Sequence, residues 1–310
     1  MSDTMAALRR KIATAEDLQS VVRTMKALAA SNIGQYEQSV LALGQYYRTV
    51  ELGLGACSRA NGPATSIPAR HHQAASASVG AIVFGSDQGL VGQFNDVMAD
   101  FACKTLEKLP GKPKVWAVGE RVHARLADAG MTMMGLFAVP NSVQAITPLV
   151  AQIQIESEAS RALGDYAQVY VFHNRPSVGS LYEPVCQRLL PIDRQWQIDL
   201  VQVRWPTATI PQIMAPRAET RMALIREYLF ISLFKACAES LASENASRLA
   251  AMERAERNIG ELLENIHGAF QRLRQSAIDE ELFDVISGFE AHAAPRNQLK
   301  STFNTLTSIP

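Results

Sequence analysis

The stretch MERAERNIGELLENIHGAFQRLRQSAID, residues Met252–Asp279, decides the fold. Met252, Ile259, Ile266 and Leu273 stand seven apart, and Leu263, Phe270 and Ala277 form a second row offset by four. Alternating steps of three and four along apolar rows are the seam of a coiled coil. Most intervening positions are Ala, Glu, Arg, Leu or Gln, all good helix formers. Gly260 and Gly268 work against the helix, at about 1 kcal/mol each relative to Ala. No proline lies between Pro216 and Pro295, so one helix is expected from about Arg217 to Gly288. At ~1.5 Å per residue, roughly 70 residues of helix extend on the order of 100 Å. That is wider than an ordinary domain, so the helix needs a partner beyond the globular body.

The N-terminus supplies a matching pattern. The first proline is Pro63, and Leu8, Ala15, Val22, Ala29, Tyr36, Leu43 and Val50 run seven apart without a break. Leu18 and Met25 flank this row early, while Ile33, Val40, Tyr47 and Leu54 flank it later. Such a change of companion row is expected of a helix that meets different neighbours along its length. The competing reading, two amphipathic helices inside a compact bundle, fits less well, since globular helices rarely exceed about 25 residues.

Composition sets the outer bounds. Thirty Lys and Arg balance thirty Asp and Glu, which gives no case for nucleic-acid binding. No apolar run reaches the roughly 18 residues of a membrane span, and the N-terminus lacks the apolar core of a secretory signal. Cys57, Cys103, Cys186 and Cys237 are scattered and read as reduced thiols, with neither a disulfide frame nor a zinc site.

Between the helices the period changes. Residues 59–77 are small and polar and read as a linker; His71 and His72 within it read as solvated, without metal. Val79–Phe84 is a continuous apolar run suited to a strand buried on both faces. A glycine-containing loop follows, Gly85–Gly92, then a helix from about Asn95 to Leu109. Further strands are expected at Lys114–Val118 and Gln168–Phe172, with helices at Glu120–Ala129 and Ser142–Leu163. Alternation of this kind argues for parallel βαβ units. Leu181–Pro191 and Gln197–Trp205 read as extended edge segments. The expected architecture is α/β: a long antiparallel coiled coil of the N- and C-terminal helices (1–58 and 207–290), with an inserted Rossmann-like domain (78–206) and a polar tail (291–310).

The loop is the natural place to look for chemistry, because backbone N–H groups at a helix N-terminus hold phosphate. Its spacing matches neither the dinucleotide fingerprint nor the phosphate loop ending in Gly-Lys-Ser/Thr. A structural turn at Ser86, Asp87, Gly89 and Gly92 is the simpler reading. No base, nucleophile and orienting group come together elsewhere: His123, His173 and His267 lie on different elements. The residues favour a mechanical or interaction protein. The rival is a small-molecule or nucleotide-binding α/β enzyme using residues 85–95.

Three stretches together resemble one family, the γ subunit of F-type ATP synthases. Thr24-Met25-Lys26-Ala27-Leu28-Ala29-Ala30-Ser31 is similar to that family's opening helix. Ser86-Asp87-Gln88-Gly89-Leu90-Val91-Gly92-Gln93-Phe94-Asn95 is similar to its Ser-Asp-Arg-Gly-Leu-Cys-Gly loop. Glu239-Ser240-Leu241-Ala242-Ser243-Glu244-Asn245-Ala246-Ser247-Arg248-Leu249-Ala250-Ala251-Met252 is the most specific match, and Arg274-Gln275 and Val285-Ile286-Ser287-Gly288 follow in order. The resemblance implies a central rotor shaft with no catalytic residue and no cofactor. Its terminal helices would stand inside a ring of three α and three β subunits, and its body against ε and the c-ring. It also implies that Met25 faces the β catch region, that Arg274 and Gln275 hydrogen-bond to a β loop near the shaft tip, and that Asp279 is a further shaft contact. Arg23 and Lys26 either meet an acidic β segment or form a solvated helix face. Arg204 and Trp205 fall at the foot near ε and the c-ring. A peripheral place on the cytoplasmic face of a bacterial inner membrane is the corresponding expectation.

The chain departs from the family pattern in places. Asn32 replaces a common Lys, Gln88 an Arg, Val91 a Cys and Asp279 a Thr, while Asp284 stands where Glu is usual. More acid at the tip changes the charge offered to the β ring and suggests a divergent γ chain with co-varying partners.

Overall fold

The computed structural model describes residues 4–60, 78–162, 166, 168–178, 180–192, 194–209, 211–214 and 216–293. The 59–77 linker therefore lies almost wholly outside the described residues, together with His71 and His72, as does the tail from 294 onward. In chain order the elements are α1 (Met5–Ala60), β1 (Val79–Phe84), α2 (Phe94–Leu106), β2 (Lys114–Val118), α3 (Glu120–Asp128), β3 (Thr132–Phe137), α4 (Val143–Ala162), β4 (Gln168–Ser177), β5 (Ser180–Leu190), α5 (Arg194–Gln202) and α6 (Arg217–Ala293). They make two compact units: a coil unit of residues 1–24 with 254–310, and a body unit of residues 25–253.

In the coil unit the two terminal helices are antiparallel. The Arg9 guanidinium lies 5.5 Å from the Phe270 ring centroid, and Arg23 Nε is 2.9 Å from Glu256 Oε1. Fourteen residues forward on α1 thus match fourteen back on α6, two heptads on each helix. Leu8 and Ala15 are buried, and Ile259, Leu263, Ile266, Phe270, Leu273 and Ala277 are half-buried, as their spacing demands. One expectation fails. Leu18 is 53% exposed, and the position offset by four from Ala15 is the half-buried Gln19. The companion row is Ile12 and Gln19 here, and Lys26 and Ile33 in the body unit, where Met25 is half-buried as expected. It does not shift; its polar members hid it from a reading by hydrophobicity.

The body unit is built on a five-stranded sheet of order β3-β2-β1-β4-β5. β1 to β4 are parallel, and β5 returns antiparallel to β4. The continuous apolar run of β1 serves two cores. Val79, Ala81 and Val83 join Met98, Ala102, Leu106, Val122 and Leu126 from α2 and α3. Ile82 and Phe84 face the other way, among side chains of α4, α1 and α6, including Tyr36, Leu54, Ile146, Val150, Leu229 and Leu233. The body portions of α1 and α6 are therefore one of the two layers on the sheet. β3 was not anticipated, since its Thr-Met-Met-Gly-Leu-Phe sequence mixes exposed and buried positions and carries a register shift against β2. Gln197–Trp205 is not an extended edge. It falls largely within α5, where β-branched and aromatic residues mimic a strand while Leu200 is buried and Ile198 and Val201 face out.

Candidate functional site

The loop after β1 sits at the C-terminal end of the strand, where the chain leaves first toward β2 and later, through β3 and α4, toward β4 on the other side. In open α/β sheets this crevice is where ligands bind. Here the protein fills it. Ser86 is fully buried; its N–H donates to Asn95 Oδ1 (2.9 Å), and Asn95 Nδ2 donates back to Ser86 Oγ (2.8 Å). Asp87 accepts from the Glu120 N–H at the start of α3 (3.0 Å) and, with its other oxygen, from the Val139 N–H (2.9 Å). The anion that the positive end of α3 favours is thus a carboxylate of this chain. Gly119 has φ of 116°, and a Cβ there would lie 2.8 Å from the Ser86 backbone, so only glycine suits the position. Gly92 (φ 59°) and Leu90 (φ 63°) turn the loop, while Gly89 is half-buried beside Arg121.

Three polar contacts fasten α6 to this end of the sheet. Glu239 Oε2 is 2.8 Å from His173 Nε2, Ser243 Oγ donates to Asn174 O (3.1 Å), and Ser247 Oγ donates to Val91 O (2.6 Å). All three α6 residues are buried. They lie four apart, so one stripe of α6 carries them. Asn174 extends the network by donating from Nδ2 to Phe94 O (3.3 Å). Glu244, also buried on α6, pairs within the helix. One of its oxygens accepts from Arg248 (2.7 Å); the other has no protein partner among the described residues. Burial pushes its carboxyl up from the ordinary value, against the pull of Arg248.

These α6 contacts were absent from the sequence reading. The segment Glu239–Met252 stood out only as a resemblance. The signal was there: Glu239, Ser243 and Ser247 at four-residue spacing within a run of Ala, Ser and Leu. Small polar residues at that spacing in an otherwise apolar helix mark a face that bonds to something.

The remaining expected site residues sit elsewhere. Met25 and Lys26 are half-buried on α1 in the body unit. Arg204 is exposed and Trp205 half-buried just after α5, whose end is held by Arg59 Nη1 donating to Val201 O and Val203 O. In the coil unit Arg23 is engaged by Glu256, while Arg274, Gln275 and Asp279 are exposed on α6.

A family model described as ATP synthase matches residues 4–292, nearly the whole chain. The chain belongs to the ATP synthase family. Among its relatives, the ATP synthase gamma chain of Janthinobacterium sp. (strain Marseille) is 25% identical over 288 residues, covering 92% of this chain and 98% of that protein. Two solved structures of the mitochondrial ATP synthase of Euglena gracilis share the fold. One, of the rotor, has a TM-score of 0.57 at 16% identity, over 88% of this chain and 98% of its own. The other, of the OSCP/F1/c-ring assembly, has a TM-score of 0.60 at 17% identity, over 95% and 97%. Family membership and a loop occupied by the chain's own carboxylate both disfavour the small-molecule enzyme reading. No helix among the described residues is long and apolar enough to cross a membrane.

Proposed function

We propose that this ATP synthase family member is the γ subunit, the central-stalk rotor. It couples rotation of a c-ring to conformational change in a ring of three α and three β subunits, and so to ATP synthesis or hydrolysis. The observation that carries the reading is the family match over residues 4–292, spanning both terminal helices and the body between them. On this reading the chain is non-catalytic and sits peripherally, on the cytoplasmic face of an inner membrane, with ε against the body.

The body supports the role physically. A rotor must turn its shaft helix and its foot as one piece. Apolar packing is non-directional and lets a helix slip or roll, whereas hydrogen bonds hold distance and angle. The Glu239, Ser243 and Ser247 contacts fix the rotational setting of α6 on the sheet, in a dry interface where each bond is strong. Met25, Arg274, Gln275 and Asp279 are the proposed contacts to β, with Arg23 and Lys26 as further candidates. Arg204 and Trp205 are the proposed foot toward ε and the c-ring. A planar guanidinium at Arg274 suits a β carboxylate held in fixed orientation, at about 1.5–3 kcal/mol per charge-assisted bond.

The test is size-exclusion with light scattering of the full chain mixed with its own α and β subunits, followed by an ATPase assay. The expected result is one copy of this chain per three α and three β, with ATPase activity changed severalfold by Arg274→Ala. A chain that stays alone, or an assembly indifferent to its presence, sinks the reading.

A further inference from the structure

α5 is too short to hold its own place. It has nine residues, and helices under about 12 residues are marginal in water without packing. Its setting is therefore dictated by what it touches. Trp196 and Leu200 stand four apart, on one stripe of the helix. The Trp196 ring centroid lies 4.5 Å from that of Tyr228 on α6, which in turn lies 5.9 Å from that of Tyr47 on α1. Leu200 is buried, while Ile198 and Val201 face out.

The far end of α5 is held at backbone level. The last carbonyls of a helix lack partners within it. Arg59 of α1 takes up two carbonyls there, those of Val201 (3.2 Å) and Val203 (2.7 Å). The Leu200 carbonyl comes so close to Gly55 of α1 that a Cβ on that glycine would lie 2.5 Å from its oxygen. Gly53 receives Leu224 of α6 in a similar way, its Cβ position 3.1 Å from Leu224 Cδ1. Gly34 and Gly44, on the same helix, have nothing within 4 Å of theirs. Glycine is unfavourable inside a helix relative to alanine, and at Gly55 the space left for α5 is what its absence of a side chain provides. Arg204, exposed, and Trp205, half-buried, follow just past the end of α5. They inherit whatever position α5 is given.

We propose that Gly55 is a positioning residue: it seats α5 on α1 and, with Trp196 on Tyr228, fixes where the foot residues Arg204 and Trp205 stand, so that torque enters the chain through α5. The inference rests on the rotor reading, which assigns Arg204 and Trp205 to the foot. Unseating α5 should leave the α and β ring able to hydrolyse ATP while loosening its link to ion flow.

The experiment uses the complete complex, assembled with the chain's own partner subunits in sealed vesicles, and hydrogen exchange of the full chain. Gly55→Ala and Trp196→Ser are compared with wild type, with the conservative Trp196→Phe and with the control Gly44→Ala. In the first two, α5 amides should exchange about tenfold faster while β1 amides stay protected. ATP hydrolysis should remain close to wild type. Ion uptake per ATP, read with a pH-sensitive dye or radioactive sodium, should fall severalfold. Trp196→Phe and Gly44→Ala should match wild type in every readout. If Gly55→Ala loses helix content by circular dichroism, Trp196→Ser decides. Faster α5 exchange with wild-type ion uptake overturns the proposal and leaves the rotor reading standing. So does unchanged α5 exchange, and so does loss of hydrolysis together with uptake, which a merely structural role would produce. Should wild type itself not assemble with its α and β subunits, both readings fall.

Discussion

One helix, α6, lives in two environments. Between Ile231 and Asn245 every residue except Lys235 is buried. From Ile278 to Glu290 every residue is exposed. The buried stretch owes its enclosure to small side chains: Ala236, Ala238, Ser240, Ala242 and Ser243 let sheet, loop and helices approach from all sides. Glu239 and Ser243 then spend hydrogen bonds on His173 and Asn174 of the sheet. The exposed stretch carries large apolar groups and carboxylates that stand open among the described residues. The contrast separates what a shaft needs where it is gripped, directional bonds in a dry interface, from what it offers where contacts to other subunits are proposed.

The largest effect is expected where the grip is assembled. Gly119→Ala forces a side chain into a left-handed backbone setting and drives its Cβ to 2.8 Å from the Ser86 backbone. Strain and clash together should lower stability by about 3 kcal/mol or more, read from denaturant midpoints of the full chain. A loss under ~1 kcal/mol would mean the loop is pliable, and the contrast between a rigid grip and an open tip would weaken.

The same contrast explains what could be read from the sequence. The heptad rows at Leu8–Val50 and Met252–Ala277 gave both long helices, because a coil seam depends on side-chain spacing alone. The Val79–Phe84 run gave the central strand for the same reason. α5 and β3 were lost because Ile198 and Val201 lean locally toward strand and Met133 and Leu136 toward helix, and tertiary packing overrides both. The grip was illegible for a different reason. His173, Asn174 and Val91 lie far from Glu239, Ser243 and Ser247 in sequence, and only the sheet topology brings them together. At the tip, exposure of Arg274, Gln275 and Asp279 was foreseeable, and the proposed partners belong to other chains.

A smaller, pH-dependent effect is expected at Glu244. Burial raises its folded-state pKa above the unfolded value of 4.5, so the folded state holds the proton more tightly. As pH rises from 4.5 through the raised value, the native state must ionise a buried carboxyl, and stability from this group is lost. Glu244→Gln removes that titration and keeps an acceptor for Arg248. The difference in unfolding free energy should therefore move in favour of the variant as pH rises across this window. A difference that is flat with pH, or that moves the other way, would place Arg248 rather than desolvation in control of the pair.

The smallest effect is expected at Arg23, in the coil unit. Its ion pair with Glu256 spans 2.9 Å, but the arginine side chain is 62% exposed. Exposed pairs contribute only about 0.2–1 kcal/mol and weaken in salt. Arg23→Ala should thus change the unfolding free energy by no more than ~1 kcal/mol, and less at high salt. Glu256→Gln breaks the same pair while leaving the guanidinium in place. If Arg23 also meets β, the alanine variant should lower the ATPase of the assembled complex severalfold while Glu256→Gln does not. Equal changes in both variants would confine Arg23 to holding α1 against α6. The coil would then match the grip in one respect, with its charges spent inside the chain, and the division of α6 into a held part and an offered part would begin only at the tip.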